Sequence, residues 1–308
     1  MVDVPVASKI THCDFTFNEE ERSFSDIPAA TKLTIVAFVS HIIVAFYKGL
    51  FPINAHVYFW AIFVPLCYII PRNYFRSINS GNSLTRGGSR LSDSMAFQLV
   101  SQVCVTYSAA VSTVGFFKLY SGWDYGNAWE DRLYGRSRFI EEWFLPSFYF
   151  YQAWLFLFAL LHKEWRKPEF LGHHISLVLG GYIAYLPFAQ YYTLFGGLAE
   201  NTNVLLGIIE TFQFLGEGYK EKYSIFYKTT MALFAIFFFL IRIIFWPYVF
   251  ITNTYNGAFV QKEDPPVPRF VIGYMHIAFV FITGLQFYWA FLIFAKLFVN
   301  KKPKKEKE

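Results

Sequence analysis

Residues 229–251 read TTMALFAIFFFLIRIIFWPYVFI, a run whose one charged side chain is Arg242. A helix needs about 20 consecutive apolar residues to cross the hydrocarbon of a bilayer. This stretch is long enough, so it predicts a membrane-spanning helix with a guanidinium near its middle. A charge there is costly in hydrocarbon, so it turns to the interior of a bundle and finds a partner.

Outward from this run, similar stretches occupy about 33–51, 55–70 (closed by Pro71), 95–118, 143–162, 171–190, 193–215 and 271–297. The 193–215 run carries Glu200 and Glu210 and is the least apolar in character. Eight spans are expected, or seven if 193–215 is re-entrant or peripheral. The expected fold class is all-α, a polytopic membrane helix bundle around a central polar-lined cavity. Four regions follow: a polar segment over 1–32, two additional spans and a basic Ser/Gly loop over 33–94, the main bundle over 95–299, and a basic tail over 300–308.

Composition agrees. Of 308 residues, 55% are hydrophobic, 22% aromatic and only 16% charged. Soluble domains carry about a quarter charged residues, and disordered, collagen-like and coiled-coil chains have quite different profiles. Cys13, Cys67 and Cys104 make neither a disulfide framework nor a metal-like spacing, so no metal site and no cofactor is expected. The net charge of +5 is carried between apolar runs and at the basic tail, which argues against a nucleic-acid partner.

Lysine and arginine favour cytoplasmic loops. With eight spans, one side of the bilayer receives Arg72, Arg76, Arg86 and Arg90, then Lys163, Arg166 and Lys167, then Lys220, Lys222 and Lys228, and finally the tail from Lys301. The other side receives Arg132, Arg136 and Arg138, then Lys262 and Arg269. Both termini are therefore expected in the cytoplasm.

Polar residues within the runs mark the functional interior. Glu200, Asn203, Gly207, Glu210 and Thr211 share one helix stripe, and His276, Thr283 and Gln286 share another. Gln152 sits at the midpoint of its run. Depths taken from the run midpoints, at ~1.5 Å per residue, place Glu210 level with His173-His174 and Glu200 level with Arg242. A buried Glu200–Arg242 ion pair is expected, and with it a charge-swapped double mutant less damaged than either neutral single substitution. Gln152, Glu200, Thr202, Asn203, Glu210, Arg242, His276 and Gln286 are the candidate cavity residues. The competing reading is polar glue between helices with no cavity.

Four stretches resemble the TLC domain family, in the family's order, over roughly 95–299. They are His173-His174 opening a span, Leu198-Ala199-Glu200-Asn201-Thr202-Asn203, Ile236-Phe237-Phe238-Phe239-Leu240-Ile241-Arg242 followed by Pro247, and Leu285-Gln286-Phe287-Tyr288-Trp289. Cys104 stands where the family places a histidine three residues after Ser101. Gln152 ends the Ser147–Gln152 stretch where the family has an aspartate. Phe195-Gly196-Gly197-Leu198 lacks the Asp-rich run of the ceramide synthases. The chain therefore looks nearest to the TLC proteins that are not ceramide synthases.

The resemblance implies a membrane protein of the endoplasmic reticulum or a related endomembrane, concerned with lipid binding, sensing, trafficking or homeostasis, sphingolipids included. Its expected partner is a membrane lipid, through an acyl chain or sphingoid base, and a second copy of the chain is also admitted. The alternative is an N-acyltransferase of ceramide-synthase type, with His173 and His174 catalytic and the other substrates an acyl-CoA and a sphingoid base. A transporter or translocon accessory is the third reading. Fatty-acid elongases are disfavoured because their His-x-x-His-His motif meets Phe170 here.

Overall fold

The computed structural model describes residues 28–47, 54–78, 91–120, 129–161, 167–186, 188–215, 217–259, 265 and 267–298. The 300–308 tail, and most of the 1–32 segment and of the 79–94 part of the basic loop, lie outside them. Among the described residues there is no strand. The helices are α1 Ala29–Tyr47, α2 Ala55–Ile78, α3 Leu91–Tyr120, α4 Trp129–Tyr134, α5 Leu145–Leu161, α6 Pro168–Ile183, α7 Gln190–Leu215, α8 Glu217–Lys222, α9 Ser224–Phe237, α10 Trp246–Phe259 and α11 Arg269–Phe298. Two π-helical segments interrupt the regular winding, Ile140–Phe144 leading into α5 and Phe238–Phe245 joining α9 to α10.

Among the described residues, five stretches are long and apolar enough to cross a membrane: Ala55–Phe75, Met95–Lys118, Ile140–Leu161, Ser224–Thr252 and Arg269–Ala295. Each of the other three apolar runs also lies largely in one helix, namely α1, α6 and α7. The apolar part of α1 is shorter, Ala29–Val44, and α6 has only 16 residues. Pro71 does not close its span. Instead α2 runs through Pro65 and Pro71 to Ile78. Each proline removes one backbone donor, a loss that membrane helices tolerate when neighbours or local adjustments satisfy the freed carbonyl.

The side-chain distribution reverses that of a soluble protein. Arg242 is 5% exposed, while Leu240 and Ile244, two residues to either side, are 52% and 64% exposed. The surface is oily and the charge is inside, as a bilayer solvent requires.

Contacts fix the helix directions. His174 meets Gln152 and Gly181 meets Phe148, so α6 runs against α5. Gly196 meets Phe148 and Glu200 meets Gln152, so α7 runs with α5. Phe195 meets Phe245 and Thr202 meets Arg242, so the α9–α10 segment runs against α7. Gln286 meets Arg242 and Thr283 meets Trp246, which turns α11 back again. Gln98 bonds the Gly207 carbonyl and Thr113 bonds Asn201, setting α3 against α7.

A clasp ties the start of α5 to the start of α7. The Ser137 N–H donates to Gln190 Oε1 at 2.8 Å, and Gln190 Nε2 donates to Glu141 Oε1 at 2.7 Å. Arg136 grips the same Glu141 carboxylate through Nε and Nη2, and that bond lifts its guanidinium above the ordinary value. Ala189 takes a left-handed conformation (φ 58°), and its N–H donates to the Leu133 carbonyl. Gln190 is fully buried, so Gln190→Leu should cost about 1–3 kcal/mol by stranding the buried Ser137 N–H, while Glu141 keeps its bonds to Arg136. Thermal melting in detergent reads this loss, and an unchanged melting point would remove the clasp from the account.

Candidate functional site

Polar side chains from α5, α6, α7, the second π segment and α11 converge at mid-height of the bundle. Measured from the midpoints of the helical stretches, at ~1.5 Å per residue, Gln152, His174 and Arg242 lie within ~2 Å of mid-height. Glu200 and Gln286 lie within ~4 Å of it on the same measure. All five are buried.

Arg242 makes four hydrogen bonds. Its Nε donates to Thr202 Oγ1 at 2.7 Å, Nη1 to Gln286 Oε1 at 2.9 Å, and Nη2 to Asn203 Oδ1 at 2.8 Å and the Ala199 carbonyl at 3.0 Å. The guanidinium also lies over the Phe238 ring, 5.5 Å from its centroid. Asn203 Nδ2 donates to Glu200 Oε2 at 2.8 Å, and Gln152 Nε2 donates to Glu200 Oε1 at 3.3 Å. Gln152 Oε1 lies 2.6 Å from His174 Nδ1. One connected layer thus runs from Gln286 through Arg242, Asn203, Glu200 and Gln152 to His174.

The local sequence explains the convergence. Glu200 and Asn203 are three residues apart and stack on one face of α7. Arg242 sits inside Phe238–Phe245, where π winding widens the turn, a device frequent at functional sites. His174 is nearly two turns into α6, whose entry is set by Pro168 at the first turn.

The expected Glu200–Arg242 ion pair is not formed. Asn203 stands between the two groups and bonds both. Nor does Glu210 meet the histidines. It lies ten residues from Glu200, about 15 Å along α7, beside Gln98 of α3. His276 lies about 15 Å from Gln286 along α11 and is likewise apart from the layer. Depths taken from the edges of apolar runs misplaced His174, because α6 begins at Pro168 and is short. His173 packs edge-on against Trp289 and its Nδ1 has no hydrogen-bond partner among the described residues. The Trp246 indole N–H donates to Thr283 Oγ1 at 2.9 Å, a contact the sequence reading missed although Trp246 follows Arg242 by one turn.

The polar side chains face one another rather than an open chamber. Beside them lies a shallow half-open cleft, whose ≈ 400 Å³ of atom-free space includes the open space at its mouth, and its walls are mostly apolar. Its lining includes Phe148, Leu177, Gly196, Trp246 and Ile282. Phe148, Gly196 and Ile282 precede Gln152, Glu200 and Gln286 by four residues, and Trp246 follows Arg242 by four. With the helix directions given above, each step is one turn toward the same side of the bundle. The cleft therefore lies directly over the polar layer, about 6 Å away.

No curated protein and no solved structure matches the chain. A family model does: the TLC domain, over residues 95–295. These residues include α5, α6, α7, α9, α10 and most of α11, and hence the entire polar layer. With its apolar helices this makes the protein an integral membrane protein, and the chain belongs to the TLC domain family.

Proposed function

We propose that this protein handles a membrane lipid, holding an acyl chain or sphingoid base in the apolar cleft while the polar layer engages the headgroup. The observation that carries this reading is the stacking of an apolar cleft one turn above a buried polar layer on the same set of helices. Pockets that bind small molecules combine apolar walls with a few placed polar groups. Eight spans are proposed, with α1, α6 and α7 joining the five long apolar helices. An even count puts both termini on one side, and the lysine and arginine bias favours the cytoplasm for that side. The endoplasmic reticulum or a related endomembrane is the proposed location. A homo-oligomer is compatible with this arrangement.

The test is lipid mass spectrometry of the purified protein beside Gly180→Leu. Gly180 lines the cleft, and a Cβ there meets nothing within 4 Å, so a larger side chain fills the space with the backbone in place. Wild type should retain a long-chain lipid that the variant loses at least severalfold. Equal lipid content in both proteins would remove the cleft from the reading.

A second reading, acyl transfer from acyl-CoA to a long-chain base, is favoured by one feature, the backing of His174 by Gln152 and Glu200. In that reaction the imidazole takes the proton of the amine as nitrogen attacks the thioester carbon. The C–N bond forms, the C–S bond breaks, and the thiolate of coenzyme A leaves and is reprotonated. Activity in wild type that His174→Ala abolishes supports this second reading, and absence of activity in wild type sinks it.

A further inference from the structure

The hydrogen-bond polarity of the buried layer can be followed from one end to the other. Arg242 is a donor only. Because its Nη2 donates to Asn203 Oδ1, the Asn203 amide nitrogen must face Glu200, where it donates to Oε2. Glu200 accepts again at Oε1, from Gln152 Nε2. With its nitrogen turned to Glu200, Gln152 has only Oε1 to offer His174, 2.6 Å from Nδ1. An acceptor at that position requires the hydrogen to be on Nδ1. A neutral imidazole has one N–H, so Nε2 keeps its lone pair. Nε2 makes no hydrogen bond among the described residues.

We propose that Arg242, Asn203, Glu200 and Gln152 act as positioning residues that fix His174 as its Nδ1–H tautomer, so that Nε2 accepts a hydrogen from the bound lipid and selects headgroups carrying a hydroxyl or amine over headgroups that only accept. The selectivity rests on the lipid-handling reading above, whereas the tautomer rests on the geometry of the layer alone. Glutamine rather than a carboxylate next to His174 fits this role. It orients the ring and fixes the proton without placing a second charge in direct contact, and the Glu200 carboxylate sits one link further away.

Two measurements test it. Nitrogen NMR of the full chain labelled at histidine, with His174→Asn used to assign the resonance, should show a protonated Nδ1 and an unprotonated Nε2. Gln152→Leu should mix the two tautomers, an effect that loss of packing alone does not produce. A hydrogen on Nε2 in wild type overturns the proposal.

Binding of octadecanol and octadecyl methyl ether, equal in chain but differing in the hydrogen they donate, is the second. Wild type should hold the alcohol about tenfold tighter, the value of one well-made hydrogen bond. His174→Asn keeps a donor toward Gln152 and lacks Nε2, so it should bind both alike. Equal affinity in wild type overturns the selectivity and leaves the lipid reading standing. Failure to bind either, or octadecylamine or stearic acid, sinks the lipid reading and the selectivity with it.

Discussion

Replacing Arg242 with Met should destabilise the protein by about 3–5 kcal/mol, the usual cost of removing one partner from a buried charged arrangement. The guanidinium serves four acceptors on α7 and α11, and Glu200 relies on Asn203, which is oriented by the same guanidinium. Met fills the volume and donates nothing. Arg242→Lys keeps the charge but is a point donor without the planar fork, so it should recover only part of the loss. The charge-swapped Glu200→Arg, Arg242→Glu double mutant should not rescue the fold. The two groups do not touch, and the Ala199 carbonyl cannot become a donor to a carboxylate. Unfolding followed in detergent checks the series. Near-wild-type stability of Arg242→Met would show that the layer contributes little to holding the bundle.

The second large effect concerns Gly197. A Cβ there meets the Phe144 ring, with Cζ at 2.7 Å, and Ser112 Cβ, also at 2.7 Å. Ser112 Cβ is anchored to its own helix backbone. Phe144 is fully buried and stacked on Phe148 at 5.1 Å, so neither neighbour can retreat. Gly197→Val must therefore spread α3, α5 and α7, at a cost of about 3 kcal/mol. Gly207→Ala makes the contrast. Its Cβ meets the far end of the Gln102 side chain, which can swing away. Gly207→Ala should remain well folded where Gly197→Val does not, and comparable damage in the two would mean that the α3–α7 contact does not depend on which atom is met.

Helix positions were legible because hydrocarbon imposes long apolar runs, and the runs around Arg242, Gln152 and Gln286 all fall in helices. The polar side chains stood out for the same reason: against Phe and Leu, a lone Arg or Gln is a visible exception. Which exceptions meet was less legible. Partnership depends on helix ends and rotation, and the π segment at Phe238–Phe245 leaves no pattern in its sequence although it resets the rotation of Arg242 relative to α10. The role of Asn203 as the link between two charges was hidden by an assumption that opposite charges pair directly. The Gln190 clasp was hidden because it joins turns, where periodicity carries no information.

The buried layer also orders events in biosynthesis. Its members come from five stretches of chain, beginning with Gln152 and closing with Gln286. Helices leave the ribosome one after another, so Glu200 is in place before Arg242 exists, and Arg242 waits for the helix that carries Gln286. The nascent protein must pass through a stage in which an acid and then a base are held at bilayer depth without their final company. That stage ends only when the last helix docks and Gln286 Oε1 accepts from Arg242.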